Sequence, residues 1–211
     1  MARNLMLFQE KVDDQQNCPQ CGAALARYFK YSKLIKCQSC GSSIFLEDDA
    51  VKLIGERAVL SNEPSLIQMH TSFSYEGKHY LPLGKIRYDY GRGFWEEWFL
   101  QGEENQEFWL SIDEGDFVLE EKSIINLPFT TFKEFKLGKQ YNNYLITEKG
   151  EGVCVGFEGE LPERITIGDK HQYIHLSKGY NSLITVEFTN KERETFKGEW
   201  IDPLKIKVVT R

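Results

Sequence analysis

The 211-residue sequence has no apolar run near the roughly 18 residues that a membrane-crossing helix needs, so no transmembrane segment is expected. Near the N-terminus only residues 5–8 are consecutively apolar, too few for the core of a signal peptide. Long amphipathic periodicity is missing as well, which counts against a helical body. There is no GxSxG elbow, no phosphate loop with its lysine and no GxGxxG opening a helix, so an enzyme is disfavoured. Positive charge is in short supply: 26 Lys and Arg against 32 Asp and Glu give a formal charge of −6. Residues 1–50 hold six of each sign, so residues 51–211 carry the imbalance, twenty against twenty-six. An acidic body repels a phosphate backbone, and nucleic acid is not expected as the main partner.

Cysteine is scarce too, five in all, but four of them fall in two C-x2-C pairs, Cys18 with Cys21 and Cys37 with Cys40. Thiols in that pattern fit a reducing compartment, and the protein is expected in the cytoplasm. A two-residue gap lets both thiolates of a pair face one ion, and four thiolates complete the tetrahedral shell that zinc favours. Gly22 and Gly41 follow the pairs, where the chain must bend tightly with N–H groups toward sulfur. The run CPQCG followed by CQSCG resembles the knuckle pattern of zinc-ribbon domains. A ribbon over residues 15–47 holding one structural Zn2+ is expected, with strands at 23–29, 34–37 and 43–46 and a core separate from the body's. Four protein ligands leave no open position for water, so this zinc is not expected to be catalytic.

Within the ribbon, Arg27, Lys30, Lys33 and Lys36 are interleaved with Tyr28, Phe29 and Tyr31. Cations among aromatics could bind single-stranded nucleic acid. The plainer reading, aromatics packing a thin sheet under solvated lysines, is preferred.

Beyond a connector at 47–58, short strand-like segments alternate with polar glycine turns. They fall at 67–72, 80–90, 94–100, 107–112 and 116–121, and then at 144–148, 152–158, 172–176, 183–188, 196–201 and 204–209. The expected fold class is mainly β: the ribbon followed by an antiparallel body, either a sandwich or two partly open barrels, with β units at 59–133 and 134–211. Gly77-Lys78-His79-Tyr80 echoes Gly138-Lys139-Gln140-Tyr141, and residues 109–115 echo 173–179, a pattern that either duplication or coincidence produces. In GRGFWEEWFL, a loop Gly91-Arg92-Gly93 closes a hairpin with Gly93 in the left-handed position and pairs Arg87 with Glu97. A loop one residue shorter pairs Arg87 with Glu96 instead. Phe94 and Trp98 then share one face and Trp95 and Phe99 the other, which suits a strand covered on both sides.

The blocks GRGFWEEWFL, WLSIDEGDF and FEGELP resemble an uncharacterised bacterial domain family of unknown function, from about residue 59 onward. Members are often preceded by a zinc ribbon, and their genes tend to lie near those of phage-shock-protein-A-like membrane-stress proteins. The resemblance implies an accessory role in stress response with another protein, one of a membrane-stress complex, as partner, and it supplies no catalytic residues. The surface for such an interaction is expected at Arg92, Phe94, Trp95 and Trp98. Two alternatives stay open: a nucleic-acid binder working through the ribbon, and an enzyme or small-ligand binder with a pocket between the β units. Glu96 and Glu97 cannot share a substrate, since successive strand residues face opposite sides. His171 and His175 share a strand face, but a metal site there has only Asp169 as a third ligand. Cys154 has no cation beside it and reads as a small buried hydrophobe.

Overall fold

Glycine turns and two-residue alternation yield strands along most of the chain in the computed structural model, in which residues 12, 16–47, 50–53, 60, 64–128, 131–189 and 193–209 are described. The segment around the two cysteine pairs, called the ribbon below, holds β1 (Leu34–Lys36) and β2 (Ser43–Glu47), and β3 (Ala50–Leu53) follows it. Then come β4 (Phe73–Tyr75), β5 (Lys78–Asp89), β6 (Phe94–Gln101), β7 (Glu107–Asp113) and β8 (Asp116–Lys122). The second half supplies β9 (Gln140–Tyr141), β10 (Tyr144–Leu161), β11 (Lys170–Lys178), β12 (Ser182–Phe188), β13 (Arg193–Ile201) and β14 (Lys207–Val208). Helical pieces among the described residues are single 3₁₀ turns, and no helix among them is long and apolar enough to cross a membrane.

The body is mainly β, but neither a sandwich nor two partly open barrels. β5-β6-β7-β8 is one antiparallel meander and β10-β11-β12-β13 another; β8 pairs with β13 and β5 with β10, so eight strands close into one barrel. Closure pairs the edge strands of both meanders, whose N–H and C=O groups would otherwise be left open. The long strand β10 makes this possible. It pairs first with β11, then from Val153 to Gly159 with β5, and finally with the ribbon strand β1 through Glu160 and Leu161.

The break expected between residues 148 and 152 is therefore continuous strand. At Gly150 a Cβ would come within 2.5 Å of the Tyr173 ring, and at Gly152 within 2.4 Å of the Trp95 ring. These glycines make room for rings lying across the backbone; they do not turn it. Three other expected strands are also corrected. Residues 23–29 form only an isolated bridge, Asn17 with Ala24; residues 67–72 join no ladder; and 204–209 shrink to β14. The connector, conversely, contains β3.

Alternation serves two enclosed faces. On the outside, Trp98, Leu100, Leu110 and Leu119 are buried with Ile67, Phe73 and Ile206. Elsewhere on the outside, Ile174, Leu176, Ile184 and Val186 lie beneath Leu127 and Phe135 of the β8–β9 connection. Inside, at the ribbon end, Phe29 and Leu34 of the ribbon join Leu83, Phe99, Phe157 and Leu161 in one cluster. The Phe29 ring meets Phe99 edge-on at 5.2 Å. Glu160 latches this end, accepting hydrogen bonds from the Tyr28 N–H at 2.7 Å, the Phe29 N–H at 3.0 Å and Ser32 Oγ at 2.9 Å. That latch consumes the donors that an extended 23–29 strand would have offered a neighbour. The ribbon keeps a small cluster of its own, Cys18, Ile35, Cys37, Ile44 and Leu46, but Phe29 and Leu34 belong to the body's core, so the separation expected is only partial.

Candidate functional site

The two cysteine pairs form matching backbone knuckles. Cys18 N–H donates to the Ala23 carbonyl at 2.8 Å and Cys37 N–H to the Ser42 carbonyl at 2.9 Å. Gly22 and Gly41 donate back to the Cys18 and Cys37 carbonyls at 2.8 and 2.9 Å, both with φ of 74°, in the left-handed region open to glycine. Facing each other, the knuckles set Cys18 Sγ 3.7 Å from Cys40 Sγ and Cys21 Sγ 3.8 Å from Cys37 Sγ. A tetrahedron with metal–sulfur bonds of about 2.3 Å has edges of about 3.8 Å, so this donor set fits one tetrahedral ion. Among the described residues no other group of three or more His, Cys, Asp or Glu converges in this way, and His171, His175 and Asp169 do not.

The GRGFWEEWFL hairpin adopts the second of the two registers: Asp89 pairs with Phe94, Tyr88 with Trp95 and Arg87 with Glu96. Gly91, at φ of 88°, takes the left-handed position expected for Gly93, and the Asp89 carboxylate accepts its N–H at 2.6 Å. An Asp side chain capturing an N–H two residues on sets such a loop. Glu96 faces outward. Its Oε1 accepts from Arg87 Nη2 at 2.7 Å and Lys85 Nζ at 3.4 Å, and its Oε2 from Trp98 Nε1 at 3.1 Å. Trp95 and Trp98 are only 4% and 2% exposed, on opposite faces of β6, so they are not part of a surface; Arg92 and Phe94 alone of the four are exposed.

Glu97 faces inward, and its Oε1 accepts from Trp95 Nε1 at 2.8 Å and Ser111 Oγ at 3.1 Å. Closure brings Glu120 of β8 and Glu187 of β12 into the same interior. Burial, reinforced by the charge of Glu120, pushes Glu97 up to about 8. Burial and then Glu97 push Glu187 well above the usual carboxylate range, and burial raises Glu120 as well. Carboxyls taken out of water hold their protons.

A cavity of about 120 Å³ lies among these three, with Trp95, Tyr173 and Trp200 on its wall. Half-buried Asp113 and Glu148 and exposed Glu114 and Asp116 mark its mouth. A second cavity, of about 230 Å³, reaches toward the ribbon and is lined there by Tyr31, Lys33 and Lys122. Glu97 and Glu187 line both, so this pair forms the waist between two chambers.

Hydrogen bonding in the first chamber is uneven. Among the described residues Glu120 Oε1 and Thr185 Oγ1 are buried with no partner in good hydrogen-bond geometry, although the Thr185 hydroxyl lies close enough to Glu120 to favour its charged form. Glu148, by contrast, accepts from His175 Nδ1 at 3.0 Å and Tyr173 Oη at 2.6 Å, which hold its carboxyl below the usual range. His171 Nε2 lies 3.8 Å from Glu187, but burial pushes the ring down to about 4, so this is not an ion pair at neutral pH. Burial pushes the Cys154 thiol up to about 12, leaving it inert. The chamber thus combines acids, ring faces and unpartnered oxygens, the materials of a binding site.

Glu120, Glu187, Thr185 and Trp200 were not singled out from the sequence. A lone Glu in an alternating strand reads as a solvated face. The usable signal was Glu97, a carboxylate on a strand read as covered on both sides. A family described as a domain of unknown function, DUF4178, matches residues 68–203, which carry the barrel and leave out the ribbon. The chain belongs to that family. No curated protein and no solved structure matches the chain.

Proposed function

We propose that the protein is a non-enzymatic binding barrel that takes a small ligand into the chamber between Glu97, Glu120 and Glu187, while its ribbon closes the other end around one structural zinc ion. The observation that carries this reading is the pair of unpartnered oxygens, Glu120 Oε1 and Thr185 Oγ1, on the wall of a cavity of about 120 Å³. Native interiors rarely leave such atoms without a partner, and a ligand bearing hydrogen-bond donors would satisfy them. Small-molecule sites join aromatic walls to a few convergent polar groups. Eight-stranded barrels have interiors of the size that holds one small ligand. Four thiolates at tetrahedral spacing support zinc as the ribbon's ion.

The pocket between the β halves is preferred to a protein-docking surface because Trp95 and Trp98 are buried. An accessory role in membrane stress, as the family resemblance implies, is compatible with a ligand-sensing barrel. The ribbon's nucleic-acid reading is weaker, since Phe29 is committed to the shared core. A fragment screen by protein-observed NMR tests the proposal. Fragments that compete with one another and shift the Trp95 and Trp200 indole signals support it; binding confined to the outer surface, with both indoles unmoved, overturns it.

A further inference from the structure

We infer that the chamber's ligand is a small organic cation, an ammonium head seated among Glu97, Glu120 and Glu187 with its alkyl part against Trp95, Tyr173 and Trp200. The inference rests on the chamber being the ligand site, and its ground is the acidic lining there, which a bound cation would hold in its ionised form. Among the described residues seven carboxyl side chains and His175 line the chamber and no Lys or Arg does. A cation supplies the counter-charge that lets buried acids ionise, which neither an anion nor a neutral molecule does. An ammonium group brings three N–H donors and no acceptor, which is what Glu120 Oε1 and Thr185 Oγ1 lack. Both residues are almost wholly buried, Glu120 3% and Thr185 2% exposed.

A bare divalent ion fits less well. Such an ion needs several oxygens in one tight shell, and among the described residues only the four cysteines come within mutual reach of one ion. An organic cation spreads over a larger space and also uses ring faces, which attract positive charge within about 6 Å of the centroid. The protein's own cations near the interior, Lys33 and Lys122, line the second chamber, beyond the Glu97 and Glu187 waist. Carboxylates at the mouth, Asp113 and Glu114 among them, would raise the local concentration of a cation before it enters. A chamber of about 120 Å³ limits the ligand to a handful of heavy atoms unless its tail emerges at the mouth.

The two faces of β6 supply the readout. The Trp95 indole N–H donates to Glu97 inside the barrel, and the Trp98 indole N–H donates to Glu96 outside it. The full zinc-loaded chain is titrated with n-butylammonium chloride and with n-butanol, its neutral counterpart, at matched ionic strength, following both indole signals. The expected result is a saturable shift at Trp95 with an unmoved Trp98, at least tenfold tighter for the ammonium than for the alcohol. In Glu120→Gln the ammonium should weaken at least tenfold. If alcohol and ammonium saturate the Trp95 signal equally, the chamber remains a ligand site and the charge inference is overturned. If fragments of other charge shift Trp95 while butylammonium does not, the inference likewise fails alone. If no small molecule moves Trp95, both the inference and the proposed function fall.

Discussion

The two ends of the barrel interior are filled on opposite principles. At the ribbon end, Phe29, Leu34, Phe99, Phe157 and Leu161 pack together, each no more than 2% exposed. At the other end, Glu97, Glu120 and Glu187 surround a cavity with carboxyl groups that burial has pushed toward their protonated forms. The first arrangement stabilises the fold and the second costs stability, since buried acids and unpartnered oxygens are unfavourable. Folded domains hold only a narrow margin of net stability. A chamber of this kind therefore depends on apolar packing elsewhere, at the ribbon plug and in the cladding outside the barrel.

The largest effect is expected from removing one of the four thiols proposed to hold a metal at the plug. Cys37→Ser should lower bound zinc well below one equivalent by elemental analysis and unfold the ribbon, whose metal-binding free energy is on the order of 10 kcal/mol. Because Phe29 and Leu34 belong to the shared core, the barrel's melting temperature should fall as well. A barrel that melts like the parent would show that the plug contributes nothing to it.

Next in size is the cladding. Trp98→Ala removes a ring that is 2% exposed and should cost about 3–5 kcal/mol in urea unfolding. The Trp95 response to chamber ligands should survive at concentrations of denaturant where the variant is still folded. Loss of that response without loss of stability would place Trp98 in the binding machinery instead of the cladding.

Acidity of the chamber gives a smaller, opposite signature. Glu97 is pushed from 4.5 up to about 8, so the folded chain keeps a proton that the unfolded chain has lost, and stability falls as pH rises across that interval. Glu163, following β10, is pushed up to about 7 and acts in the same direction. His171 on β11, pushed from 6.5 down to about 4, acts the other way between those values, because there the unfolded ring is protonated and the folded one is not. Above pH 6.5 Glu97, with Glu187 of β12 beside it, still acts downward, while the ribbon thiols act upward, Cys40 being pushed from 9.0 down to about 6. Relative to Glu97→Gln, the parent's unfolding free energy should drop by about 1–2 kcal/mol between pH 6.5 and 8, since the thiol contribution is common to both. A parent and a Glu97→Gln variant with the same slope over this window would contradict a desolvated chamber.

The smallest effect sharpens the contrast most. Thr185→Val replaces an unpartnered buried hydroxyl with a methyl and should stabilise the protein by about 1 kcal/mol while weakening ligand binding. A destabilisation of that size would mean that the hydroxyl has a partner in the free protein.

Sequence reading located most of the strands but misjudged what several segments do. Residues 67–72 alternate like a strand, yet Ile67 serves as cladding. Residues 23–29 look extended, yet Tyr28 and Phe29 give their N–H groups to Glu160, a partner far along the chain. Gly150 and Gly152 look like a turn and are instead clearances for Tyr173 and Trp95. In each case the signal was local and the deciding contact was not.

For the candidate site the division is equally physical. The opposite facing of Glu96 and Glu97 follows from strand geometry alone, and the four-cysteine set follows from spacing, because both depend on residues a few positions apart. Alternation defines two faces of a strand without saying which one is enclosed. That was settled by the pairing of β5 with β10 and of β8 with β13, which closed the barrel. Glu97, Glu120 and Glu187, each able to face solvent in an open sheet, line one interior because those distant strands meet.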